Sequence, residues 1–349
     1  MATRLRSLLG LLTFLCASVA AAATTPAGDA QALIAEGVRL HDAGKYDEAI
    51  EKYRAALAVE PGNVEAAYEV AYAQFALGRY DDCVRTADPL LDRAGRFKAL
   101  VYVVLANCHD LAGEPKRALR LFAKGMKEFP RDAVLPFNAG VTRVRQEDWT
   151  EAHKLFQRAI ENDPLHRSAH VNLGLAYRVG GYRVQAILAY LRFLSLESED
   201  PRAPGAALEI LQLLGAGFAK TGDAEYQIEF NVNLPKDEGD YSSAELVRSI
   251  GGAIVETEEW KDKTAGEKLV YRVDSLLSAI DEAGGDRGRD FARRTFMPFL
   301  RALREAGLLE TFVYRVFAPV GPSELGAWLE QHPEQLALLD GFLASQARR

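Results

Sequence analysis

The sequence predicts a mostly α-helical protein, an array of about five helical hairpins followed by a smaller helical region. Three columns of residues predict it. Gly37, Ala71, Ala106, Gly140 and Gly174 recur at spacings of 34, 35, 34 and 34. The same stride links Ala49, Cys83, Ala118, Ala152 and Ala186, and again Tyr53, Ala87, Phe122, Phe156 and Tyr190. A fixed period of this length marks a stacked repeat in which each unit buries its apolar face only against its neighbours.

Residues 30–63 show how one copy is built. Leu33, Gly37 and Leu40 share one face of a first helix at spacings of four and three. Gly44-Lys45-Tyr46 makes a turn, Ala49, Tyr53 and Ala56 mark a second helix, and Pro61 with Gly62 stops it. Small residues at 37 and 49 let the two helices approach, and the rings of Tyr46 and Tyr53 fill the space beside them. The remaining copies fall near 64–98, 99–132, 133–166 and 167–201.

The chain opens with Arg4 and Arg6, an apolar run from Leu8 to Ala20, and small residues from Ala20 to Ala23. This pattern predicts a signal peptide over residues 1–23, hence export to the periplasm or secretion. Cys16 follows Leu15 where a lipoprotein anchor needs a small residue, so it is assigned to the removed segment. Taking Arg4 and Arg6 from the 42 basic residues leaves a net charge of −9 against 49 acidic ones. Such a balance argues against a nucleic-acid partner. No second long apolar run follows, so no transmembrane span is expected in the mature chain.

These repeats resemble the tetratricopeptide repeat family. Copy one carries Gly37, Gly44, Tyr46, Ala49, Tyr53, Ala56 and Pro61; copy two keeps Ala71, Gly78, Tyr80 and Cys83 but has Ala87 for the ring and Gly95 for the proline. Copy three carries Ala106, Gly113, Ala118, Phe122 and Pro130, and copy four Gly140, Trp149, Ala152, Phe156, Ala159 and Pro164. Copy five carries Gly174, Gly181, Ala186 and Tyr190, with Tyr182 one place early and the proline displaced to Pro201.

The resemblance implies a right-handed superhelical array whose first helices line a concave groove. It implies a protein or peptide partner and no cofactor. Mapped by period, the groove holds Ile34, Tyr68, Val103, Phe137 and Val171, then Val38, Tyr72, Asn107, Val141 and Leu175. One turn further come His41, Phe75, Asp110, Val144 and Arg178. Two readings of these apolar rows stand, a binding groove or a surface covered by the chain's own C-terminal part. Asn107 and Asn138 match amide positions of the family's clamp for C-terminal carboxylates. Val103, Ser168 and Asn172 replace its basic residues, which speaks against that clamp here. The resemblance also sets the helices of Cys83 and Cys108 side by side, so these residues are either a disulfide or two small core residues.

Beyond the array, residues 202–224 read as a capping helix and 225–349 as a separate α-rich domain. Ile228, Phe230, Val232 and Leu234 alternate like a strand, and 312–317 is a β-branched and aromatic run that would pair with it. Ser242 with Glu245 suggests a capping box opening a helix. Helices are expected near 263–283 and 287–306, the latter kinking or restarting at Pro298, with further starts at Ser323 and Pro333.

No phosphate-binding loop, metalloprotease motif or nucleophile elbow occurs. His166 and His170 have a metal-compatible spacing but sit at a turn and a helix start, where packing roles are expected. Arg287, Arg289, Arg293 and Arg294 lie beside Asp286 and Asp290 and read as a self-neutralised surface. The expected function is a binding scaffold with no catalytic residues. An enzyme with its site in the C-terminal domain, and an oligomeric envelope component, are the alternatives.

Overall fold

The structure is a computed structural model. It describes residues 26–197, 199–216, 218–222, 226–228, 235, 237–283 and 290–346. The expected signal peptide lies outside them. The chain divides into two compact units, the first ending at Thr86 and the second beginning at Ala87.

The first unit contains the hairpin of α1 (Pro26–Asp42) and α2 (Tyr46–Val59), then α3 (Val64–Ala76) and α4 (Tyr80–Ala87). Helices α1 and α2 nest because Gly37 faces Tyr53; a Cβ at position 37 would stand 2.4 Å from the ring. Asn63 caps α3 by accepting from the Ala66 N–H at 2.9 Å. Helix α4 is short. It gives way to 3₁₀ turns at Asp88–Leu90 and Gly95–Phe97, where copy two loses the ring and proline of its pattern.

The second unit opens with three hairpins: α5 (Lys98–Leu111) with α6 (Pro115–Glu128), α7 (Val134–Arg145) with α8 (Trp149–Asn162), and α9 (Arg167–Val179) with α10 (Arg183–Leu196). The first unit's column recurs, with Gly140 against Phe156 and Gly174 against Tyr190; a Cβ added at either glycine would stand 2.6 Å from the facing ring. Helix α10 is buried on nearly every side, which a terminal hairpin could not be unless further chain covered it.

That cover is α11 (Ala203–Gly215), α12 (Ser242–Ile254), α13 (Ala265–Glu282), α14 (Phe291–Glu305), α15 (Leu309–Phe317), α16 (Ser323–Gln331) and α17 (Pro333–Gln346). One continuous apolar core runs from Ala152 and Phe156 through α10 to Phe296, Phe312 and Leu339. The boundary expected near 225 is therefore not a break in packing, because the last hairpins and the tail complete each other's core.

Several expectations for the tail are corrected. The capping helix stops at Gly215, and Phe218–Lys220 (β1) instead pairs antiparallel with Tyr226–Ile228 (β2), Phe218 opposite Ile228. Most of the alternating segment, 229–234, lies outside the described residues. Its expected partner, 312–317, is not a strand: it lies in α15, where Leu309, Phe312, Val313, Val316 and Phe317 are all buried. Those positions follow helical spacing. The Ser242–Glu245 capping box does not form. The Ser242 hydroxyl donates to Asp240 Oδ1 at 2.6 Å, and Glu245 is drawn inward to Arg248 Nε at 2.9 Å. The capping box of the tail belongs to Thr264 and Glu267 at the start of α13. Helix α14 runs through Pro298 without restarting.

Candidate protein-interaction surface

In the first unit, α1 and α3 supply the predicted inner rows. Ile34 is withdrawn from them: it is part of the core with Ala30, Ile50 and Tyr53 and cannot meet a partner. Val38 and Tyr72 are open, at 37% and 40% exposure. Tyr68, Tyr72 and Phe75 recur at helical spacing, and their rings lie nearly parallel, with centroids 6.1 and 6.4 Å apart. His41 from α1 stacks on Tyr72 at 5.0 Å and meets the Tyr46 ring edge-on at 4.9 Å. The result is a rail of aromatic faces held by its own ring contacts.

Beside the rail sits Glu69. Burial, with the charges of Glu65 and Asp42 adding to it, pushes its carboxyl up to about 7. Burial and the same carboxylate also raise the Tyr53 phenol. Sequence reasoning missed this group, because its partners come from α1 and α2. The only signal in the sequence is Glu65 and Glu69 interleaved with Tyr68 and Tyr72.

In the second unit the inner rows are half-buried and partly stitched together. Val103 packs on the core of the α5–α6 hairpin, and Phe137, Val141, Val144 and Val171 pack on the larger core. Leu175 is half-buried. Phe137 touches Phe156 at 5.9 Å and His166 at 4.7 Å between ring centres. Asn107 Nδ2 donates to Asn138 Oδ1 at 3.1 Å, and Asn138 Nδ2 to the Val134 carbonyl at 2.9 Å. One turn on, Thr142 donates to Asp110 at 2.7 Å, Arg145 pairs with the same carboxylate, and Arg178 pairs with Glu209 of α11 at 3.1 Å. The clamp amides thus bind each other and the backbone, in keeping with the missing basic residues.

Among the described residues, α11 reaches the last of these rows through Glu209 and Arg178, and the chain after it meets α8 and α9 elsewhere. These later contacts include Glu238 with His153 at 3.2 Å, with Gln157 at 2.8 Å and with Tyr177, Arg294 with Glu161, and Phe296 against His170 at 5.8 Å. His170 and Tyr177 lie about 80–160° round α9 from Val171, Leu175 and Arg178, given 3.6 residues per turn.

The remaining polar candidates have structural work. His166 Nδ1 caps α9 by accepting from the Ala169 N–H at 3.2 Å, and His170 Nε2 bonds the Pro164 carbonyl at 2.9 Å. Burial drives His170 down to about 4, so it stays neutral. Arg293 pairs with Asp290 at 3.1 Å and Arg294 with Glu161, while Arg287 and Arg289 lie outside the described residues. Trp260 packs on Tyr271 at 4.4 Å, and Trp328 on Tyr314 at 4.9 Å and on His332 at 4.1 Å. Cys83 and Cys108 are both fully buried, and each is disulfide-bonded. No described helix is long and apolar enough to cross a membrane.

Stacked helical hairpins presenting rows from their first helices define a repeat scaffold. Residues 40–108 and 137–207 match sequence profiles described as tetratricopeptide repeat. These two stretches of the array are tetratricopeptide repeats. No curated protein matches the chain. Among solved structures it is similar to TTC0263, a thermophilic TPR protein in Thermus thermophilus, at 21% identity and TM-score 0.45, over 53% of this chain and 98% of that one. It is similar to MamA from Desulfovibrio magneticus RS-1 at 21% identity and TM-score 0.40, over 49% and 97%. It is also similar to PilW, described as a widely conserved type IV pilus biogenesis factor, at 16% identity and TM-score 0.43, over 53% and 90%.

Proposed function

We propose that this chain is an exported, non-catalytic scaffold that holds a protein or peptide partner against the inner rows of its repeats. The observation that carries the reading is the open aromatic rail, with Val38 and Tyr72 exposed in positions where a core helix would be covered. Apolar rows on the first helices are the arrangement used by helical repeats that grip an extended or helical segment. The described carboxylates and guanidinium groups of the tail are largely spent on one another, as in Arg301 with Asp281 at 2.6 Å and Arg304 with Asp274 at 2.7 Å. Such pairs tie helices together, a structural use of charge.

The test uses cross-linked capture from the native envelope by the full chain. Tyr72→Glu with Val38→Glu should remove the captured partners, and Leu338→Glu on the exposed surface of α17 should not. Retention of every partner by the double variant would end the groove reading. Export is tested separately by fusing residues 1–23 to a reporter that folds only outside the cytoplasm; no reporter signal would overturn it.

A further inference from the structure

Resting on that reading, we propose that the face built by Tyr68, Tyr72, Glu69 and Asp42 receives a lysine or arginine side chain of the partner segment. Three observations lead there. The first is the open Tyr72 ring, part of a parallel set of aromatic faces. Such a face attracts a cation placed over it, most strongly a planar guanidinium.

The second is an unbalanced negative charge beside those rings. Glu69 makes no ion pair among the described residues, and Asp42 meets only the His41 ring, at 3.9 Å. Four cations of the unit are committed elsewhere: Lys45 to Glu48 at 3.2 Å, Lys52 to Glu36 at 2.9 Å, Arg79 to Asp47 at 2.7 Å, and Arg85 to Asp82. Burial first, and then the charges of Glu65 and Asp42, raise the Glu69 carboxyl, so a cation brought beside it would favour its ionised form.

The third is a pair of buried polar atoms with no hydrogen-bond partner in the structure, the Tyr53 hydroxyl and His41 Nε2. Tyr53 is wholly buried, and its phenol lies against Glu69. Poorly paired buried polar groups are costly, and a bound cation that holds Glu69 ionised would strengthen the contact between the phenol and the carboxylate. The carboxylate-gripping members of the family need the opposite charge on their inner face, so this chain would select a basic segment where they select an acidic one.

The test is fluorescence anisotropy on the full chain with three labelled peptides of one apolar pattern, their polar positions filled by Arg and Lys, by Ser, or by Asp and Glu. The basic peptide should bind at least about tenfold tighter than the acidic one, a difference of about 1.4 kcal/mol. The preference should shrink as salt rises to about 0.5 M. Glu69→Gln with Asp42→Asn should abolish the preference while leaving the fold intact, since the double change only relieves repulsion. Tyr72→Ala should weaken the basic peptide as well.

Equal binding of all three peptides, still lost in Tyr72→Glu, would overturn the charge selection and leave the groove reading standing. Basic-peptide binding that survives both Tyr72→Ala and the carboxylate changes would overturn the site. Absence of basic-peptide binding up to millimolar concentration would also overturn it.

Discussion

Single residues carry the repeat through size and backbone conformation. The turn between the two helices of a hairpin needs a left-handed residue. Gly44, Gly78, Gly113 and Gly181 supply it with φ of 73, 73, 86 and 86°. In the fourth hairpin the same place is held by Glu147 at φ 58°, which a side chain tolerates poorly. Glu147→Gly is expected to stabilise the second unit by about 1 kcal/mol. An unchanged or lowered urea midpoint would contradict it. The opposite expectation holds at Gly37, which has no room for a methyl group against Tyr53. Gly37→Ala should cost about 1–3 kcal/mol as the ring is displaced, read as a lower midpoint for the first unit.

At the scale of elements, the hairpins were legible in the sequence because each is specified by several columns at once. Failures fell in the tail, where no period exists to vote. The run at 312–317 looks strand-like when taken alone. Begun three residues earlier at Leu309, it fits a buried helix, and a segment buried on all sides gives little alternation to decide between the two. Of the candidate surface, the period placed the rows on the first helices but not their exposure: Ile34 turns into the core and Asp110 is buried against Thr142. The acidic partner of the rail was not legible, since it is assembled from three helices.

Equally invisible was the clasp that ends α11. Arg248, 2% exposed, donates to the carbonyls of Leu213 at 2.6 Å and Ala216 at 2.7 Å while holding Glu245, and Arg272 donates to the Leu214 carbonyl. These guanidinium groups satisfy the orphan carbonyls of a helix C-terminus and face its negative dipole end. Arg248→Met strands Glu245 and two carbonyls in the interior, so it should cost about 3–5 kcal/mol. Adding Glu245→Leu should recover part of that loss. Tryptophan fluorescence during urea unfolding reports it, because Trp149, Trp260 and Trp328 all lie in the second unit. A single variant as stable as the parent would show that the clasp is ornamental.

For the whole molecule, the two units carry buried groups that respond to acid in opposite senses. In the first, Glu69 is raised from an ordinary 4.5 to about 7, chiefly by burial, so the fold disfavours its ionised form. That contribution to stability is complete below about pH 4.5 and is lost as pH rises through 7. In the second, burial depresses His170 from 6.5 to about 4 and also lowers His166. A depressed histidine stabilises the fold above about pH 6.5 and loses that contribution as pH falls through 4. Glu238 acts in the same direction: burial would raise it, but hydrogen bonds from His153 and Gln157 outweigh this and hold it below its usual range. Acidification from about pH 6.5 to 4.5 should therefore firm the first unit and loosen the second. Hydrogen exchange, corrected for the intrinsic rate at each pH, would show greater protection of α2 and lesser protection of α10 at the acid end. Glu69→Gln should flatten the first trend and leave the second. If both units moved together, or if the glutamine variant kept the parent's slope, the buried carboxylate would not be the source of the first unit's response.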